Sequence, residues 1–209
     1  MPSKCMEWEE IHNRLLQTSA YPIIGIAYKG KTAKRSGLPY INHINEGVFI
    51  FVRKFGWIED PISAYCVHPV FQTDKQLKRT IAGEIDISQL TPTAIVMAME
   101  YRRVANAYLS TNKVRASDEI ELSPLPSVNQ MLAADKIQNK KDFVSKLYKT
   151  SNRPAYHRAC DRYIQYFDSW LSALGVSPDE YEELSGDLSR TFPDRHNNML
   201  NGSGEHAGI

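Results

Sequence analysis

Three residues far apart in the chain, His43, His68 and Asp135, are of the types that hold a divalent cation when they converge. Imidazole and carboxylate ligands brought from several helices, with a position left for water, suit metal-assisted hydrolysis of a phosphate ester or anhydride. His43 follows Pro39-Tyr40-Ile41-Asn42 at an expected helix start, and His68 lies in the largely apolar segment 62–71. The placement of Asp135 is the most informative. On a helix expected over 128–149, Val128, Leu132, Asp135, Asn139 and Phe143 share one face. A carboxylate and an amide inside an apolar stripe must be paired or ligated, because an unpaired buried carboxylate is costly. Taken singly, each histidine fits a hydrogen-bonded core position better than a ligand, and Asp135 fits a lysine partner or a cap.

Anion binding has a local candidate in Lys29, Lys31, Lys34 and Arg35, which lie close together. The overlapping stretch 25–32, GIAYKGKT, matches the phosphate-loop pattern G-x-x-x-x-G-K-[ST] letter for letter. That loop needs a strand before it and a helix after it to aim backbone N–H groups at phosphates. Here Ser36-Gly37-Leu38-Pro39 follows at once with no apolar stripe between, so a plain basic loop is the better reading.

These residues must be positioned by helices. Residues 5–19 place Trp8, Ile11 and Leu15 at helical spacing, 21–28 are largely apolar, and 41–55 form a second amphipathic run. Asp60-Pro61 and Thr91-Pro92 are cap-and-proline helix starts, the second opening a helix over 94–109. Ser127-Val128-Asn129-Gln130 reads as a capping box. A helix over 154–174 stops at Gly175, and Ser177-Pro178 caps a last short one. Residues 119–122 are at most a minor hairpin. The expected fold is therefore all-α, a compact helical bundle over 1–190 followed by a flexible polar tail over 191–209. Tyr156, Tyr163, Tyr166, Phe167 and Trp170 on the penultimate helix either pack the back of the domain or form a docking face for a protein partner.

The totals exclude several classes. Lys+Arg is 25 against Asp+Glu 24, so neither nucleic acid nor an anionic membrane is an expected partner. Cys5, Cys66 and Cys160 are scattered and odd in number, which argues against a disulfide framework and suits a reducing compartment. With a polar, charged start and no long apolar run, the expected location is the cytoplasm, or the host cytoplasm for a viral chain.

The words around the three candidate ligands resemble the RelA/SpoT-type alarmone hydrolases of the HD superfamily over about residues 20–145. Residues 34–43, KRSGLPYINH, look like that family's R-x-S-G-x-P-Y-I-x-H segment, with Lys34 where arginine is usual. Residues 60–68, DPISAYCVH, look like the helix leading to its His-Asp pair. Residues 133–139, AADKIQN, look like its L-A-D-R-x-x-N helix, with Lys136 for arginine. The resemblance implies an HD-like bundle in which His43, His68 and Asp135 are three of four ligands to a divalent metal, usually manganese. It also implies that Lys34, Arg35, Lys136 and Asn139, with the basic loop from Lys31, serve a nucleotide such as a guanosine polyphosphate or a dNTP.

The chain departs from that pattern where the chemistry is decided. Pro69 stands where the family has the aspartate that completes the metal set, and proline also kinks or ends a helix. Gln72 and Thr73 stand where the family has a Glu-Asp pair associated with the attacking water, leaving Asp74 as the nearest acid. Two readings follow: a metal-dependent nucleotide phosphohydrolase with an altered site, or an inactive protein of the same fold that binds a nucleotide or a partner protein.

Overall fold

The computed structural model describes residues 6–32, 38–109, 116–145 and 154–192, the last stretch with its side chains from Cys160 onward. Lys34, Arg35, the Tyr156 side chain and the expected tail beyond Phe192 lie outside what is described. Within them the chain forms nine α-helices and no strand: α1 (Trp8–Leu16), α2 (Ala20–Tyr28), α3 (Ile41–Phe55), α4 (Glu59–Gln72), α5 (Asp74–Ile81), α6 (Pro92–Ala107), α7 (Pro126–Phe143), α8 (Pro154–Ala173) and α9 (Pro178–Thr191). The fold is all-α, as expected. Residues 119–122 do not form a hairpin; a 3₁₀ turn, Ser117–Glu119, is followed by extended chain whose Glu121 N–H donates to the Tyr108 hydroxyl.

Two helices carry the interior. In α4 every residue from Pro61 to Phe71 is buried, and in α7 every residue from Met131 to Gln138. A helix covered on all sides has no polar face, so neither shows an amphipathic stripe over its central turns. α4 packs against α2, α3, α5, α6 and α7, while α7 packs against α3, α4, α6, α8 and α9. Buried apolar side chains from α1 to α9 join in one core. Tyr166, Phe167 and Trp170 of α8 are part of it, which removes them from solvent and from any docking face.

The helix starts differ in detail from the expected caps. Thr91 caps α6 as expected, its Oγ1 accepting from Ala94 N at 3.1 Å, and Ser177 caps α9 in the same way. Asp60 does not cap α4, which begins one residue earlier after Ile58; its carboxylate instead accepts from the Thr91 hydroxyl at 2.6 Å and ties the starts of α4 and α6 together. Ser127 is not a capping-box residue either. α7 begins at Pro126, and the Asn129 side chain folds back to exchange hydrogen bonds with the Ser123 backbone at 2.9 and 2.8 Å. Gly175 ends α8 as expected, with φ +70° and a Val176 N–H reaching back to Leu171 O.

Near the histidines, α3 and α4 are packed tightly at Gly47. A Cβ there would overlap the phenol of Tyr65, which is fully buried. Gly47→Ala should therefore cost roughly 1–3 kcal/mol of stability through overpacking, seen as a lower urea midpoint; an unchanged midpoint would show that the helices separate freely.

Candidate functional site

His43 projects from the first turn of α3, His68 from the last turns of α4 and Asp135 from the middle of α7. One candidate ligand atom from each lies within 4.8 Å of the others. The two imidazoles meet edge to face with ring centroids 5.5 Å apart, and His43 Nε2 is 3.4 Å from Asp135 Oδ1. His68 and Asp135 are buried and His43 half-buried, so the cluster opens to solvent along one side.

The surroundings define what each group can do. Burial, and then the neighbouring His43, push the His68 imidazole down to about 4 against the pull of Asp135, so it is neutral near pH 7. Its Nδ1 donates to Tyr65 O at 2.6 Å, leaving Nε2 as the atom to offer a ligand. Burial raises the Asp135 carboxyl, but Lys136, His43 and His68 together outweigh it and hold the group at about 2. Burial and then the nearby Asp135 carboxylate push the Tyr101 phenol well up, so its hydroxyl keeps its proton.

Pro69 does not end α4, which runs three residues further to Gln72. A proline lacks the N–H that would have bonded the carbonyl four residues back, here that of Tyr65. That carbonyl is the one His68 Nδ1 occupies. The side chain before the proline thus satisfies the acceptor the proline abandons.

The structure gathers some of the expected site residues and separates others. Asn139 lines a cavity of about 390 Å³ together with His43, His68, Asp135 and Lys136. Lys136 does not face it as a free cation. Its ammonium lies 3.0 Å from Asp135 Oδ2 and over the rings of Trp170 and Tyr166, at 5.1 and 5.7 Å from their centroids. Burial lowers the Lys136 ammonium's affinity for its proton, but Asp135 and Tyr166 overcompensate, so it stays charged. Lys31 is not brought to this cavity; its Nζ turns back to Ala27 O at 2.6 Å, beside a separate cavity lined also by Lys29 and Arg79. Gly25 lies within α2, so a phosphate loop is ruled out by the backbone itself.

Asp74 is not brought to the cavity either. It opens α5, its side chain is 83% exposed, and it pairs with Arg102, whose guanidinium also reaches Phe71 O and Gln72 O. Thr73 caps α5 by accepting from Gln76 N, and Gln72 pairs its amide with Asn106. Gln72 and Thr73 are therefore both engaged in shaping the end of α4.

Sequence reasoning missed Tyr28, Tyr40, Tyr101, Gln138 and Asp142, which line the same cavity. It also missed Glu46 and Lys141, a buried pair at 3.2 Å behind His43. Helical spacing is the signal that could have found them: Gln138 and Asp142 follow Asp135 by three and seven residues, and Glu46 follows His43 by three.

The three donors fit a divalent cation. Bonds of roughly 2.0–2.2 Å require ligands within roughly 4 Å of one another, close to the spread seen. Lys136 occupies Oδ2 of Asp135 and leaves Oδ1 facing the histidines. Comparison of the chain with protein-family models, with curated proteins and with solved structures finds no match, so its chemistry must be read from these residues.

Two outcomes follow for the metal-free protein. A folded-state value of about 4 for His68 lies below the ordinary 6.5, so the unfolded chain binds the proton first as pH falls. Stability should therefore be constant above the ordinary value and drop by roughly 2 kcal/mol from neutrality to pH ~5, a slope that His68→Gln should flatten in urea titrations. Lys136→Met leaves Asp135 short of its nearest counter-charge and should cost about 3 kcal/mol in the same assay.

Proposed function

We propose that this protein is a divalent-metal-dependent nucleotide phosphohydrolase of HD type whose altered site makes turnover slow. The observation that carries the reading is the convergence of His43, His68 and Asp135, from three helices, to within 4.8 Å of one another at the wall of an open cavity. Residues separated by 92 positions meet there with the donor set that phosphate hydrolysis calls for. The resemblance around each of the three points the same way and suggests manganese as the ion.

Charge supports a need for the ion. Among the described lining residues Asp135 and Asp142 stand against Lys136 alone, so an anionic substrate meets a net negative wall. A divalent ion held by the three donors reverses that sign and polarises a phosphoryl oxygen. The chain's own contribution is to orient: Asn139 offers its amide to the substrate, and Tyr28 and Tyr40, with ring centroids 5.2 Å apart, offer aromatic surface to a nucleobase. Guanosine polyphosphates and dNTPs are the substrate classes that follow from the resemblance.

A second reading, an inactive protein that holds a nucleotide or a partner protein, is favoured by one specific feature. Besides Asp135, the carboxylate among the described lining residues is Asp142, two turns on along α7 and about 10 Å away by helical rise. A general base is typically worth roughly 10²–10⁴-fold in rate, and none adjoins the three donors.

Manganese titration of purified protein, with hydrolysis assays on guanosine tetraphosphate and on dNTPs, separates these. The enzyme reading expects stoichiometric manganese and slow turnover, both abolished by His43→Ala. Tight nucleotide binding with no turnover supports the second reading, and no manganese binding overturns the first. Reinstating acids by Pro69→Asp, Gln72→Glu and Thr73→Asp together should raise the rate by at least 10²-fold; if metal affinity and rate both stay unchanged, the positional match to the family is wrong.

A further inference from the structure

The three donors can bind a cation only if each imidazole presents a lone pair, and the tautomer that does so is not the one His43 would choose alone. Its Nε2 faces Asp135 Oδ1 at 3.4 Å. A neutral imidazole beside a carboxylate gains a hydrogen bond by carrying its proton on the facing nitrogen, which would place N–H where a cation should be. Something must hold that proton on Nδ1.

The structure assigns that task to Gln138: it is a positioning residue that keeps the proton of His43 on Nδ1 and the Nε2 lone pair directed at the cation site. Donors and acceptors around the amide leave one arrangement. The Gln138 amide nitrogen lies 3.2 Å from Glu46 Oε2 and 2.9 Å from Asp142 Oδ2. Ionised carboxylates only accept, so the –NH₂ end must face them, and a flipped amide would set its oxygen against two negative groups. Lys141, 3.2 Å from Glu46 Oε2, pairs with that carboxylate and holds it in place within the α3–α7 contact. With the amide so oriented, Gln138 Oε1 faces His43 Nδ1 at 2.8 Å. An acceptor at that distance requires N–H on Nδ1, and the neutral ring is then deprotonated at Nε2. Orientation passes from Lys141 to Glu46, to Gln138 and to His43.

The inference deepens the metal reading and rests on it only for its consequence in binding; the tautomer is measurable without any metal. The test uses metal-free protein with ¹⁵N-labelled imidazoles at mildly alkaline pH, long-range ¹H–¹⁵N correlation spectra, and His43→Gln to assign the ring. In the wild type, His43 should show the Nδ1–H tautomer. In Gln138→Met, which keeps the side-chain volume, it should switch to Nε2–H, now donating to Asp135. Manganese affinity should fall by about 10–100-fold in that variant, while a merely structural role for Gln138 would leave the tautomer unmoved. An Nε2–H or doubly protonated His43 in the wild type, or an unchanged tautomer in Gln138→Met, overturns the assignment. If Gln138→Met does not fold, the wild-type spectrum decides alone. Absence of manganese binding by a wild type that shows Nδ1–H would sink the metal reading and leave the positioning role of Gln138 intact.

Discussion

A single negative charge, that of Asp135, governs how the centre of this molecule is put together. It lies on a helix buried on all sides, and a carboxylate taken out of water must be matched by partners or given a proton. Its partners come from every direction: Lys136 from its own helix, His43 from α3, His68 from α4 and the Tyr101 hydroxyl from α6. The demand for those partners fixes how α3, α4 and α6 sit around α7. Lys136 shows the same logic one step out. Its ammonium is buried with one carboxylate and covered by the rings of Trp170 and Tyr166, so the α7–α8 contact is organised by the same charge.

Pro69 illustrates how a helix can absorb a residue that interrupts its hydrogen-bond ladder. Proline inside a helix sacrifices one backbone hydrogen bond and would be expected to break it. Here α4 continues because the imidazole of the preceding residue reaches the orphaned Tyr65 carbonyl, and because α4 is enclosed by five neighbouring helices. Arg102, Thr73 and Asn106 then secure its far end. The end of α4 is thus held by hydrogen bonds from three side chains.

What could be read from the residues alone divides along physical lines. Amphipathic periodicity located α3 and α6, and proline or glycine signals marked the boundaries of α6, α8 and α9, since these depend on local geometry. Asp135 was legible because a polar group in an apolar stripe announces an internal partner, whereas His43 and His68 were singled out by the resemblance of the words around them. Asp60 misled because a side chain suited to capping serves whichever donor lies nearer in space: Thr91, 31 residues away, won it. Asp74 misled because proximity in sequence says nothing about which way a new helix turns after Thr73. The Glu46–Lys141–Gln138 chain spans more than 90 residues, and no local pattern encodes such a meeting.

The decision between an altered enzyme and a binding protein reduces to geometry along α7. Asp135 and Asp142 lie on one face, with Gln138 and Asn139 between them, so the helix presents a polar strip from the cation site to the rim of the cavity. A substrate long enough to lie along that strip would place one phosphate at the histidines and its far end near Asp142, which already accepts from Gln138. In that pose the second acid recognises and does not activate. On the phosphohydrolase reading proposed above, slow turnover would be a property of where the acids stand on the helix, Asp142 lying too far along α7 from the three donors to serve as their base.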